Sequence, residues 1–91
     1  MLNKKSLFAL IAVVATVPAF AATQCEKHPE AEQIPAAKFQ EQLKAQGYQI
    51  RNFKKTSGNC YEIYGKNKAG QRVEIYFDTK TGKPVKSEID D

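Results

Sequence analysis

From Arg72 to Phe77 the chain alternates between polar and apolar residues. Val73, Ile75 and Phe77 fall on every second position, with Arg72, Glu74 and Tyr76 between them. A period of two is that of a β-strand with one buried face, whereas a helix would scatter these three side chains around its circumference. Upstream, Cys60–Lys66 puts Tyr61 and Ile63 on one face and Tyr64 on the other. Asn67-Lys68-Ala69-Gly70 joins this strand to Gln71–Phe77 as a four-residue hairpin with Gly near its end. Downstream, Asp78–Gly82 is a second turn, in which Asp78 accepts backbone N–H groups and Gly82 supplies positive φ. Pro84–Ile89 adds a short last strand, and Pro84 argues for an edge position.

Before the hairpin, Ala36–Gln46 consists almost wholly of good helix formers, and Pro35 suits the first helical position, where its missing N–H costs nothing. Ala36, Phe39 and Leu43 make one narrow apolar stripe. Gly47 is the stop signal. Tyr48–Lys55 then forms the first strand, with Tyr48 and Ile50 on one face. Phe53 breaks that alternation, and a bulge near Arg51-Asn52 restores it. The expected fold class is α+β: one amphipathic helix packed on a three- to four-stranded antiparallel sheet.

The chain begins with Lys4 and Lys5, an apolar run over Leu7–Val17, and the triplet Ala19-Phe20-Ala21 after Pro18. That is the layout of a secretory signal cut after Ala21, and the run is too short to span a bilayer that needs roughly 20 apolar residues. The expected organisation is a cleaved signal at 1–21, a polar arm at 22–34 and one domain at 35–91. The product is periplasmic or secreted, with no stable membrane insertion after cleavage. Losing Lys4 and Lys5 lowers the net charge from +4 to +2, twelve basic residues against ten acidic. Lys and Glu are interspersed, so nucleic acid is excluded as a partner.

So short a mature chain buries a modest core and needs a staple. Two cysteines remain in an oxidising compartment, and a Cys25–Cys60 disulfide is expected. It would close a loop of about 36 residues, worth roughly 3–4 kcal/mol by chain entropy.

No residue set carries catalysis. His28 is the only His, and a disulfide would remove both thiolates that could act with it. Cys25-x-x-His28 with Cys60 is the one metal-like pattern, and it competes with the disulfide. The preferred expectation is no metal and no cofactor. Asp78-x-Lys80-x-Gly82 lacks the oxygen ligands of a calcium loop and reads as turn chemistry. Tyr64 and Tyr76 share the face opposite Val73, Ile75 and Phe77. Either they are solvated sheet surface or, together with Arg72 and Glu74, they form a contact patch for a protein partner.

A set of these features resembles the PepSY domain. The helix ends in Gly47-Tyr48, a strand starts Cys60-Tyr61-Glu62, and Gly70 sits in a hairpin. An aromatic-rich third strand and Asp78-x-x-Thr81-Gly82 follow. The resemblance covers Pro35–Lys86 and implies a helix-plus-antiparallel-sheet fold with a role in holding peptidases inactive or regulating them. It carries over no catalytic residue. No peptidase domain follows in this sequence, so a separate molecule is the implied target. A non-enzymatic, exported, peptidase-inhibitory or regulatory binding module is therefore expected. A small-ligand or metal carrier using Cys25, His28 and Cys60, or an envelope stress or structural protein, are the alternatives. Oligomeric state is left open.

Overall fold

In the computed structural model the described residues are 22–90, and the expected signal segment 1–21 lies outside them. Helix α1 (Ala36–Ala45) precedes four strands, β1 (Gln49–Lys55), β2 (Cys60–Lys66), β3 (Arg72–Asp78) and β4 (Pro84–Asp90). The strands form one sheet in the order β1-β2-β3-β4, each antiparallel to its neighbour. This is the α+β architecture expected, with the last strand complete and at the edge.

Pro35 sits one residue earlier than expected. It is the N-cap, with extended ψ of 136°, and its carbonyl accepts the Phe39 N–H at 2.9 Å. The fixed φ of proline serves this position as well as the next one. At the other end Gly47, at φ 102°, lets the chain reverse. Its N–H donates to the Lys44 carbonyl and the Tyr48 N–H to that of Leu43, the bond pattern of a Schellman cap. The apolar stripe narrows to Phe39 and Leu43, because Ala36 is exposed.

Between β1 and β2 the register shifts between Ile50 and Asn52, leaving Arg51 as the extra residue. That bulge returns Phe53 to the face of Ile63, its register partner. It also explains Gly65, where a Cβ would collide with the Gln49 carbonyl oxygen. Phe39 and Leu43 press onto Tyr61, Ile63, Val73, Ile75 and Phe77, with Ile34, Tyr48, Ile50 and Phe53 around the margin. The Phe39 ring lies 5.3 Å from Tyr61, and its edge-to-face neighbour Phe77 is 5.0 Å away. Ring pairs of this kind add roughly 0.5–1.5 kcal/mol each to simple burial.

The N-terminal arm is bound more closely than its aperiodic sequence suggests. Cys25 and Cys60 are disulfide-bonded, with Cα atoms 5.2 Å apart. The Cys25 N–H donates to the Gly58 carbonyl at 2.8 Å. A 3₁₀ turn over Glu30–Glu32, which no period in the sequence announces, leads into Ile34. The Ile34 N–H donates to the Thr79 carbonyl, and the Tyr61 hydroxyl donates to the Ile34 carbonyl at 2.6 Å. Among the described residues no helix is long and apolar enough to cross a membrane.

Candidate functional site

The helix occupies one face of the sheet. Side chains of even number on β2 and β3, with Lys86, Glu88 and Asp90 on β4, point to the other, and antiparallel pairing sets them in rows. Lys54, Glu62, Tyr76 and Lys86 form one row across all four strands. Asn52, Tyr64, Glu74 and Glu88 form the next, and Lys66, Arg72 and Asp90 a third. Opposite charges thus alternate with tyrosines over an open sheet surface.

At the centre lies Glu62, only 4 % exposed although it stands on the face away from the helix. Its neighbours' side chains bury it. Lys54 Nζ stands 3.8 Å from Glu62 Oε1, and the Glu62 carboxyl lies within hydrogen-bonding influence of Glu74. Burial, then this influence, push the Glu62 carboxyl above its ordinary range, and Lys54 offsets only part of the rise. For Glu74 burial also opposes ionisation, yet the hydrogen-bonding influence of Glu62, Tyr64 and Tyr76 and the Lys86 charge outweigh it and hold Glu74 low. Of the two, Glu62 is shifted toward its protonated form and Glu74 toward its ionised form. Tyr76 donates to Glu74 Oε2 at 2.9 Å. Burial, together with this bond, raises the Tyr76 hydroxyl well above its usual range.

Of the four residues singled out from the sequence, Tyr64, Glu74 and Tyr76 come together around this carboxyl pair. Tyr64 is the outermost, 47 % exposed. Arg72 stands at the border and pairs with Asp90 at 3.1 Å. A groove of about 310 Å³ runs between Tyr64, Arg72, Glu74, Glu88 and Asp90. Glu62 is the residue that sequence reasoning misses. Its parity matches that of Tyr64, which is the available signal, but nothing in a period marks a residue as the hub of its row.

The disulfide removes the thiolates from the Cys25, His28 and Cys60 ligand set. Both cysteines are in the disulfide, so Cys25 and Cys60 have no thiolate to offer beside His28. His28 instead meets Asp78, Nε2 to Oδ2 at 3.1 Å, with Glu26 Oε1 at 4.0 Å. The three groups offer ligand atoms within 4.8 Å of one another. Asp78 is already committed, because its Oδ1 accepts the N–H groups of Lys80 and Thr81. Those bonds are the turn chemistry of Asp78–Gly82, and Gly82 adopts φ 75°. Despite its own partial burial, these backbone bonds and His28 hold the Asp78 carboxyl down at about 2.

A helix over one face of a four-stranded antiparallel meander, with glycine turns at 70 and 82, is the geometry on which a family can be tested. The family described as peptidase propeptide and YPEB domain matches residues 5–88. The chain belongs to the PepSY family. The match extends on both sides of the Pro35–Lys86 stretch that carries the motifs. No curated protein and no solved structure matches the chain significantly. PepSY domains are propeptide-like or regulatory modules and generally non-catalytic. They typically work outside the cytoplasm, and the intramolecular disulfide fits such an oxidising setting.

Proposed function

We propose that this PepSY domain is an exported, non-enzymatic module that binds a separate peptidase and holds it inactive or regulates it. In this reading residues 1–21 are removed on export, and the contact surface is the open sheet face. Tyr64 supplies the exposed aromatic, Glu74 and Tyr76 a hydrogen-bonded array held in place by Glu62, and Arg72 the basic border. An extended segment of the peptidase adds to a sheet edge through main-chain hydrogen bonds while its side chains reach this face. The observation that supports it most is the exposed Tyr64 beside the Glu62–Glu74 pair: an aromatic group on a rigid polar base, on the face the helix leaves free.

The test is to incubate the exported protein, at micromolar excess, with each peptidase of its own compartment. Cleavage of a reporter substrate should slow for one of them, and Tyr64→Ala and Glu74→Lys should relieve the slowing. Unchanged rates for every resident peptidase would overturn the inhibitory reading.

A further inference from the structure

The two edges of the sheet differ in kind. Each is irregular at one point, β1 at Arg51 and β4 at Val85, but β1 carries Arg51, Lys54 and Lys55 and no acidic residue. Two such edges repel, which is how edges are commonly protected from pairing. β4 reads Pro-Val-Lys-Ser-Glu-Ile-Asp, and all seven of its residues are exposed. Val85 is 49 % and Ile89 59 % exposed; with Tyr64 they make up the exposed large hydrophobics among the described residues. Ile89 lies opposite Val73 and Ser87 opposite Ile75, on the helix side, while Lys86 and Glu88 lie opposite Tyr76 and Glu74 on the open side. The helix backbone approaches β1 and leaves β4 uncovered.

The order of residues in β4 is self-complementary. Two copies laid antiparallel about Ser87 put Lys86 of each opposite Glu88 of the other, within the regular stretch Lys86–Asp90; Val85 is the extra residue where the register to β3 shifts. Opposite-charge pairs facing each other across antiparallel strands are favourable. Pro84 lies beyond that shift, so its missing N–H interrupts no rung of the regular stretch.

We infer that β4 is a homotypic interface: it pairs with β4 of a second copy of this chain, antiparallel and centred on Ser87. The two four-stranded sheets then become one continuous sheet about a two-fold axis. That axis is perpendicular to the sheet, so both helices lie on one side and both tyrosine faces on the other. The Lys86–Glu88 ion pair within each strand, at 3.4 Å, becomes part of an alternating run of charge across the join. Neither Tyr64 nor the Glu62–Glu74 pair is covered, and with β4 paired the β1 edge is the one left for the peptidase segment of the proposed function.

Sedimentation of the exported protein over a concentration series tests this directly. A single strand pair buries less than about 1,200 Å², so association is expected at roughly 100 µM rather than nanomolar. Mass should double over that series. Lys86→Glu alone and Glu88→Lys alone should each remain monomeric, since each sets like charges opposite one another twice. Mixing the two variants in equal amounts should restore the doubled mass, because a strand acidic at both positions then faces a strand basic at both. This recovery also shows that both variants are folded. A wild-type protein monomeric throughout, single variants that still dimerise, or a mixture that stays monomeric would each overturn the inference.

Discussion

Glu62 on β2 and Glu74 on β3 lie diagonally across the open face of the sheet, close enough that each shifts the other's carboxyl. Two acids this close cannot both ionise cheaply, and burial shifts Glu62 toward its protonated form.

Stability therefore depends on pH through Glu62 in a direction opposite to the usual acid. Its folded value lies above the ordinary 4.5, so the native state binds the proton more tightly than the unfolded chain does. The stabilisation is present below 4.5 and is lost as pH rises through the folded value. Glu62→Gln keeps a donor toward Glu74 without a charge to bury. This variant should match the parent at pH 4 and melt above it at pH 7. Thermal melts at the two pH values check this, and equal differences at both would contradict it.

Asp78 works in the other sense. Its carboxyl is held at about 2, below the ordinary 3.8, so its contribution is present above 3.8 and disappears as pH falls toward 2. Asp78→Ala removes two backbone bonds and the His28 partner, and should cost about 1–3 kcal/mol near pH 6. That cost should shrink at pH 2. Urea midpoints at the two pH values measure it.

Removing the disulfide should be the most damaging change. Cys25 and Cys60 are 35 residues apart, and their bond tethers the arm to the start of β2. Replacing both with Ala should cost about 2–5 kcal/mol. The parent treated with reductant should show a matching fall in melting temperature, and the double variant should no longer respond to reductant.

Thr79 offers a gain. It is 1 % exposed, and its hydroxyl oxygen has no hydrogen-bond partner among the described residues. Thr79→Val has nearly the same shape and removes an unsatisfied polar atom, so it should be neutral or stabilising by about 1 kcal/mol. A lower urea midpoint would mean that the hydroxyl is bonded.

Much of this fold is written in local pattern. Val73, Ile75 and Phe77 announce a strand and its buried face, Phe39 and Leu43 announce a helix stripe, and Gly47, Gly70 and Gly82 mark reversals that each use positive φ. Phe53, out of step with Ile50, even betrays the bulge at Arg51. Asn59, at φ 71° in the turn before Cys60, was not legible as left-handed, because asparagine takes that conformation only when its surroundings require it.

The site was legible only by halves. Alternation assigns Tyr64, Arg72, Glu74 and Tyr76 to one face, since period and pleat are properties of a single strand. Which of them touch is decided by register between strands, and register depends on the bulge, the hairpin lengths and the core together. Glu62 shows the consequence: in sequence it is an ordinary strand glutamate, and in the sheet it is buried between Lys54, Tyr64, Glu74 and Tyr76. The pairing of His28 with Asp78, 50 residues away, is of the same kind. Local chemistry determined the elements and their faces. Only tertiary structure, by setting distant side chains within a few ångströms in a poorly solvated place, decided which carboxyl is shifted toward its protonated form.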